Sequence, residues 1–261
     1  GSEMCIRDSV SIIGLAVGFT CFALSVLWIR YEMTYDNFHE GADRIYLVRA
    51  HYANEPGTSK FTPYPLMKYL QDKMPEIEAV TAFTAHHVKF RMEDTEQEIG
   101  MIAADSVFMN FFDIQLLKGT VNFLKCDGQE VAITKEFAKR LFSKEEDALG
   151  KEVEVGRRVC KIGAIVSGWS NHSNIPYNIL APARHSPRWG SSNEQLFIRV
   201  RERTDIDVFR TKMSTIRIND IEKESELSDL LITRMSALRY SDYVDTVSYT
   251  HLRAHETRHD L

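Results

Sequence analysis

Residues 10–29 (VSIIGLAVGFTCFALSVLWI) carry no charged side chain. At about 1.5 Å of rise per residue, such a run makes a helix roughly 30 Å long, the thickness of a bilayer's hydrocarbon core. Trp28 is followed closely by Arg30 and Tyr31, an aromatic and basic flank suited to a membrane interface. A signal peptide has a shorter apolar core and a small-residue cleavage site. A buried soluble helix usually keeps a polar stripe. The run shows neither, so residues 10–30 are expected to form a transmembrane helix. Gly14 and Gly18 form a GxxxG, which lets another membrane helix pack closely. A lone anchor is the simpler alternative.

The rest of the chain has a globular composition. Charged residues make up 26% and the formal net charge is −5, which argues against a basic nucleic-acid surface. Roughly 210 residues follow the helix, enough for one large domain or two small lobes. No linker of low complexity separates them.

Local signals describe mixed strands and helices, an α+β class. Residues 44–50 alternate as a half-buried strand. Thr62 and Pro63 suit the N-cap and first turn of a helix, with Leu66, Leu70 and Met74 on one face and Pro75 at its end. Strands are expected over 79–84, 88–92 and 97–103, a short helix over 106–112 and a short strand over 114–117. A strand at 130–133 then leads to Thr134, which caps a helix over 135–142. Strands follow at 151–155, 159–166 and 195–201. Asp205 caps a last helix with Ile206, Phe209, Met213 and Ile216 on one face. Residues 167–192 show few periodic signals.

The order of short motifs resembles the MacB-type, FtsX-like permease subunits of bacterial ABC transporters. Gly14-Leu15-Ala16 lies in the first helix, followed by Tyr35-Asp36-Asn37-Phe38-His39 and Ala42-Asp43-Arg44-Ile45-Tyr46. Pro75-Glu76-Ile77-Glu78, Ala104-Asp105, Phe111-Phe112-Asp113 and Leu117-Lys118-Gly119 come next. Ile133-Thr134-Lys135-Glu136-Phe137-Ala138, Leu141-Phe142 and Ala148-Leu149-Gly150-Lys151 close the series. The likeness covers residues 10–240; the wording of 167–192 departs from it.

The resemblance implies a fold and a setting. Residues 31–246 would form an extracytoplasmic MacB-like periplasmic core domain on the inner membrane. Its porter-like lobe would comprise about 44–104 and 193–240, and its inserted second lobe about 105–192. Three more transmembrane helices would follow. The implied partners are a separate ABC ATPase subunit and a second permease copy forming a dimer. A periplasmic adaptor and an outer-membrane channel are further partners the family admits. ATP hydrolysis by the partner would drive export or extraction of peptides, lipoproteins or drugs. No cofactor and no nucleic acid are implied.

Tyr35, Asp36, Phe38, His39, Asp43 and Arg44 are the candidate membrane-proximal coupling residues, a collar that would pass helix motion to the lobes. The plainer reading is a solvated helix end with local ion pairs, each worth at most about 1 kcal/mol. His86 and His87 are adjacent on a strand with no ligand partner at metal spacing. No G-x-S-x-G elbow or other catalytic frame is present, so no catalytic residue and no metal site are expected. Gly163 to Ser170 has Walker A spacing, but Trp169 stands where the Lys must be. Cys126 and Cys160 would meet an oxidising compartment, and their pairing is an open alternative. A sensor domain of a membrane receptor is the competing function, since it too would follow one membrane helix.

Both ends look foreign to the fold. Residues 1–9 (GSEMCIRDS) and 247–261 (VSYTHLRAHETRHDL) fit no periodic pattern and resemble translated sequencing-adapter read-through. They are expected to be non-native and disordered. The tail contains His255-Glu256-Thr257-Arg258-His259, an H-E-x-x-H without an apolar helix face to dock it or a third ligand. A membrane-tethered zinc protease therefore rests on that tail alone. Deleting residues 247–261 should shift the domain's stability by less than about 0.5 kcal/mol in thermal unfolding. A larger loss, or stoichiometric zinc held by His255 and His259, would show the tail to be folded structure.

Overall fold

The computed structural model describes residues 2–33, 41–52, 57–92, 95–125, 129–169, 173, 175–218 and 227–238. Helix α1 (Ser2–Met33) is longer than the charge-free run and continues back through residues 2–9. Its segment Ser11–Glu32 has a mean hydropathy of 2.3, none of its most apolar stretch is buried, and it is long and apolar enough to cross a membrane. Two hydroxyls in it are satisfied within the helix. Thr20 Oγ1 donates to the Ala16 carbonyl and Ser25 Oγ to that of Cys21, each at 2.8 Å. Such bonds lower the cost of placing a hydroxyl in hydrocarbon.

The body of the protein carries strands β1 (Ile45–Tyr52) and β2 (Thr62–Pro63), helix α2 (Pro65–Lys73), and strands β3 (Ile77–Met92) and β4 (Thr95–Ala104). Helix α3 (Ser106–Phe111), strands β5 (Leu116–Gly119) and β6 (Glu130–Thr134) and helix α4 (Lys135–Leu141) follow. Strands β7 (Glu152–Val155), β8 (Arg158–Val166), β9 (Ile179–Pro182) and β10 (Ser192–Val200), helix α5 (Ile206–Ser214) and strand β11 (Leu227–Arg234) complete it.

Two sheets share one strand. Antiparallel neighbours β11, β1, β10 and the first half of β3 form the first sheet. Helices α2 and α5 cover one of its faces, where Leu66, Leu70, Phe209 and Met213 are buried against Val48, Val80 and Ile198. β3 pairs with β10 up to Phe83 and with β4 from Thr84 onward. The pairing thus changes partner at 83/84. In the second half, β3–β4–β9–β6–β8–β7 pair in turn and β7 returns to β3, so the six strands close into a small barrel. Its interior holds Phe90, Ile133 and Ile162, with Phe137 of α4 packed in. β5 adds to the outside of β8. Gly119 ends it at φ 84°, where a Cβ would stand 2.2 Å from the Gly163 carbonyl.

Helix starts follow side-chain capping. Asp105 accepts from the Phe108 N–H, Thr134 from that of Phe137, and Asp205 from those of Asp207 and Val208. One expected start is corrected. Thr62 and Pro63 form β2 rather than a cap, because Thr62 is fully buried and its hydroxyl donates to the Glu194 carbonyl at 3.4 Å. Pro65 takes the first-turn position instead. β1 is buried on both faces rather than half-buried, since a second core lies behind it. The strands expected at 79–84 and 88–92 are one continuous β3.

The third core joins the two sheets. Phe83 stacks on Phe197 of β10 at 5.5 Å between centroids and meets Phe108 edge-on at 4.9 Å. Phe112 lies against Phe83, Phe108, Phe197 and Trp169. Phe83→Ala should cost about 3–5 kcal/mol in denaturant unfolding, as large-to-small changes at closed sites do. A loss below about 1 kcal/mol would show that the joint does not hold the sheets together.

Candidate functional site

The expected coupling residues divide. Tyr35, Asp36, Phe38 and His39 lie outside the described residues. Asp43 and Arg44 form a 3-10 turn after Gly41, whose φ of 68° reverses the chain into β1. Arg44 Nη1 pairs with Glu78 Oε2 at 2.5 Å and donates to the Val200 carbonyl at 3.0 Å; Nη2 lies 4.0 Å from Glu202. The hydrogen bond to Glu78 raises the Arg44 pKa further above its ordinary range. Nearby, Lys212 Nζ binds both oxygens of Glu76 at 2.7 and 3.0 Å, and Arg201 Nε donates to the Pro75 carbonyl at 2.9 Å. The start of β1, the start of β3, the end of β10 and helix α5 are thus sewn together by charge at one seam. Gly14 and Gly18 present an open face, since a Cβ at either would meet nothing within 4 Å.

A second cluster holds the joint from another side. His185, on the connector after β9, stacks flat on Tyr64 with centroids 3.9 Å apart and planes 5° from parallel. Its Nδ1 lies 3.2 Å from Glu194 Oε1 on β10, and its Nε2 faces Asp105 Oδ2 at 3.7 Å, an ion-pair distance. Asp105 is also the α3 cap. One imidazole therefore ties the first sheet to the start of the helix that follows β4. Burial alone would push the imidazole down. The ion pair with Asp105 and the hydrogen bond to Glu194 outweigh it and raise the pKa to about 9, so His185 is an imidazolium at neutral pH. Burial likewise works against the Asp105 carboxylate, but His185 and the Phe108 N–H outweigh it and hold the pKa below the ordinary range. Across the joint, Arg199 Nη2 donates to the Phe111 carbonyl at 2.6 Å and its guanidinium lies 5.0 Å from that ring.

These clusters are internal networks of ion pairs and hydrogen bonds. Their charges are spent on one another rather than aimed at a cavity. His86 and His87 are exposed on β3. Gly163 lies within strand β8 rather than in a phosphate loop. The H-E-x-x-H tail and Cys126 lie outside the described residues; Cys160 is buried in the barrel. The His185 cluster had no sequence signal beyond Asp105 in a cap position.

The sequence matches the model of the MacB-like periplasmic core domain over residues 9–216, and the chain belongs to that family. It is a domain of the kind found in ABC-transporter permeases of the MacB type. Solved structures carry the same fold. A domain of a protein assigned as a permease, from Porphyromonas gingivalis, is 19% identical with a TM-score of 0.61, covering 75% of this chain and 92% of that one. The extracellular domain of the noncanonic ABC-type transporter YknZ from Gram-positive bacteria is 14% identical with a TM-score of 0.53, covering 72% and 99%. The periplasmic region of MacB from Actinobacillus actinomycetemcomitans is 13% identical with a TM-score of 0.53, covering 77% and 94%. No curated protein matches the sequence significantly.

The His185 cluster generates a pH prediction. The proton is bound more tightly in the folded state. Its stabilisation is therefore complete below the ordinary value of 6.5 and is lost as pH rises through about 9. At the acid end it is lost as Asp105 protonates. His185→Gln should cost about 3 kcal/mol near pH 6, the low end for a broken buried ion pair. The gap between wild type and variant should close towards pH 9.5 in thermal unfolding. A gap independent of pH would mean that His185 packs as a neutral ring.

Proposed function

We propose that this chain is the extracytoplasmic part of a bacterial ABC-transporter permease, transmitting ATP-driven motion for export or extraction of peptides, lipoproteins or drugs. The family match over residues 9–216 carries the reading. The exposed apolar helix ahead of the domain supports a place on the inner membrane, with residues 31–246 outside the cytoplasm. The partners are a separate ATPase subunit and a second permease copy, packed through Gly14 and Gly18. A periplasmic adaptor and an outer-membrane channel extend the assembly. The membrane-proximal collar is the input: Arg44 follows the membrane helix closely in sequence and braces β1 against β3 and β10. β3 then runs from that seam into the barrel, so a pull at the collar is delivered to both sheets.

The test is an export assay in a permease restored with its ATPase. Arg44→Ala combined with Glu78→Ala should leave nucleotide binding unchanged and lower export per ATP hydrolysed several-fold. Unimpaired export would favour a sensor or passive docking role.

A further inference from the structure

The barrel is not filled to both ends. At one mouth lies an open cavity of about 330 Å³ whose floor includes Met101, Val131 and Ala181, from three successive barrel strands. Arg157, Arg158 and Arg184 stand around it, and among the described residues no Asp or Glu lines it. Barrel mouths are a favoured place for small ligands, and cavities from roughly 300 Å³ upward suit them.

The arginines sit on anchored backbone. Arg157 and Arg158 occupy the tight turn between β7 and β8, where Gly156 takes φ 65° and its N–H donates to the Lys89 carbonyl at 2.7 Å. Arg184 follows Ala183, whose N–H donates to the Ala104 carbonyl at 3.0 Å. Among the described residues, Arg157 and Arg158 form no ion pair, whereas Arg91, one strand away, is bound by Glu96 and Glu154. Arg157 and Arg158, adjacent like charges at one mouth, repel one another, and an oxyanion beside them removes that repulsion. Guanidinium groups grip carboxylate and phosphate oxygens through paired N–H donors. The floor beneath them is apolar and has no use for a second charge.

We propose that the mouth of the barrel binds a small amphipathic anion, a carboxylate or phosphate head on a short single apolar chain. Arg157, Arg158 and Arg184 hold the head, and Met101, Val131 and Ala181 receive the chain. This site is separate from the joint and from the membrane-proximal seam. It does not depend on the transport reading.

The experiment is calorimetric titration of the full chain in nanodiscs of zwitterionic lipid, with empty nanodiscs as the reference for partitioning. The probes are octanoate, octyl phosphate, octanol and inorganic phosphate. Octanoate or octyl phosphate should bind saturably, and more weakly as salt rises. Octanol and inorganic phosphate should each bind at least tenfold more weakly, one lacking the charge and the other the chain. Arg157→Ala with Arg158→Ala, both at exposed positions, should weaken octanoate at least tenfold without altering the circular dichroism spectrum. Ala181→Leu, which fills the floor and keeps the arginines, should weaken it similarly. Equal binding of octanol and octanoate, equal binding of inorganic phosphate, or unchanged affinity in the double arginine variant would each overturn the proposal.

Discussion

The register of β3 is the constraint on which the rest of the molecule depends. A strand of this length, Ile77–Met92, spans roughly 50 Å at about 3.3 Å per residue. Its side chains alternate between two faces, and each face is committed. Ala79, Phe83 and Ala85 point into the core at the joint. Val80 points towards α2 and α5, whereas Val88, Phe90 and Met92 point into the barrel. A slip of one residue would exchange the faces and expel Phe83 and Phe90 from their cores together. The two sheets therefore cannot choose register independently. This explains why the aromatic residues crowd where β3 changes partner: Phe83, Phe108, Phe112 and Phe197 lock the register where both sheets feel it.

Charge plays a different part from packing here. Each ion pair at the Arg44 seam is partly exposed and adds little to stability. What the seam supplies is geometry, because four chain segments must meet for Arg44, Glu76, Glu78, Arg201 and Lys212 to be satisfied at once. His185 is the buried counterpart. A cation between two carboxylates in a half-dry site gains strength from the low dielectric, but the desolvation of three charges offsets much of it. Its main effect is to exclude other arrangements of the joint, since displacing any member strands the others.

Much of this was legible in the sequence wherever the signal was local. The charge-free run marked α1, and Thr134 and Asp205 marked the helices they cap. The ordered motifs pointed to the family that the domain model matches. Non-local features were not legible. β9 is four residues long inside a stretch without periodicity, yet it joins β4 to β6 and completes the barrel. β11 carries no local signal either, because Leu227, Leu230 and Ile232 acquire their meaning only beside β1. Thr62-Pro63 has the composition of a helix start. Tertiary burial overrode it, and the helix starts at Pro65 without a side-chain cap. His185 carries no motif because its partners come from three separate elements.

The same connector explains how close the two charged sites lie along the chain. Ala183 is pinned to β4, Arg184 turns to the barrel mouth, and His185 turns to the joint. Successive residues in extended backbone project to opposite sides, so neighbours in sequence can serve separate surroundings. The pin at Ala183 decides how far they influence each other. Backbone motion that displaced Arg184 by more than its own side-chain reach would have to break the bond to Ala104. It would also draw His185 away from Glu194 and off the Tyr64 ring. The barrel and the joint are therefore mechanically continuous through this connector, while the two side chains serve different surroundings.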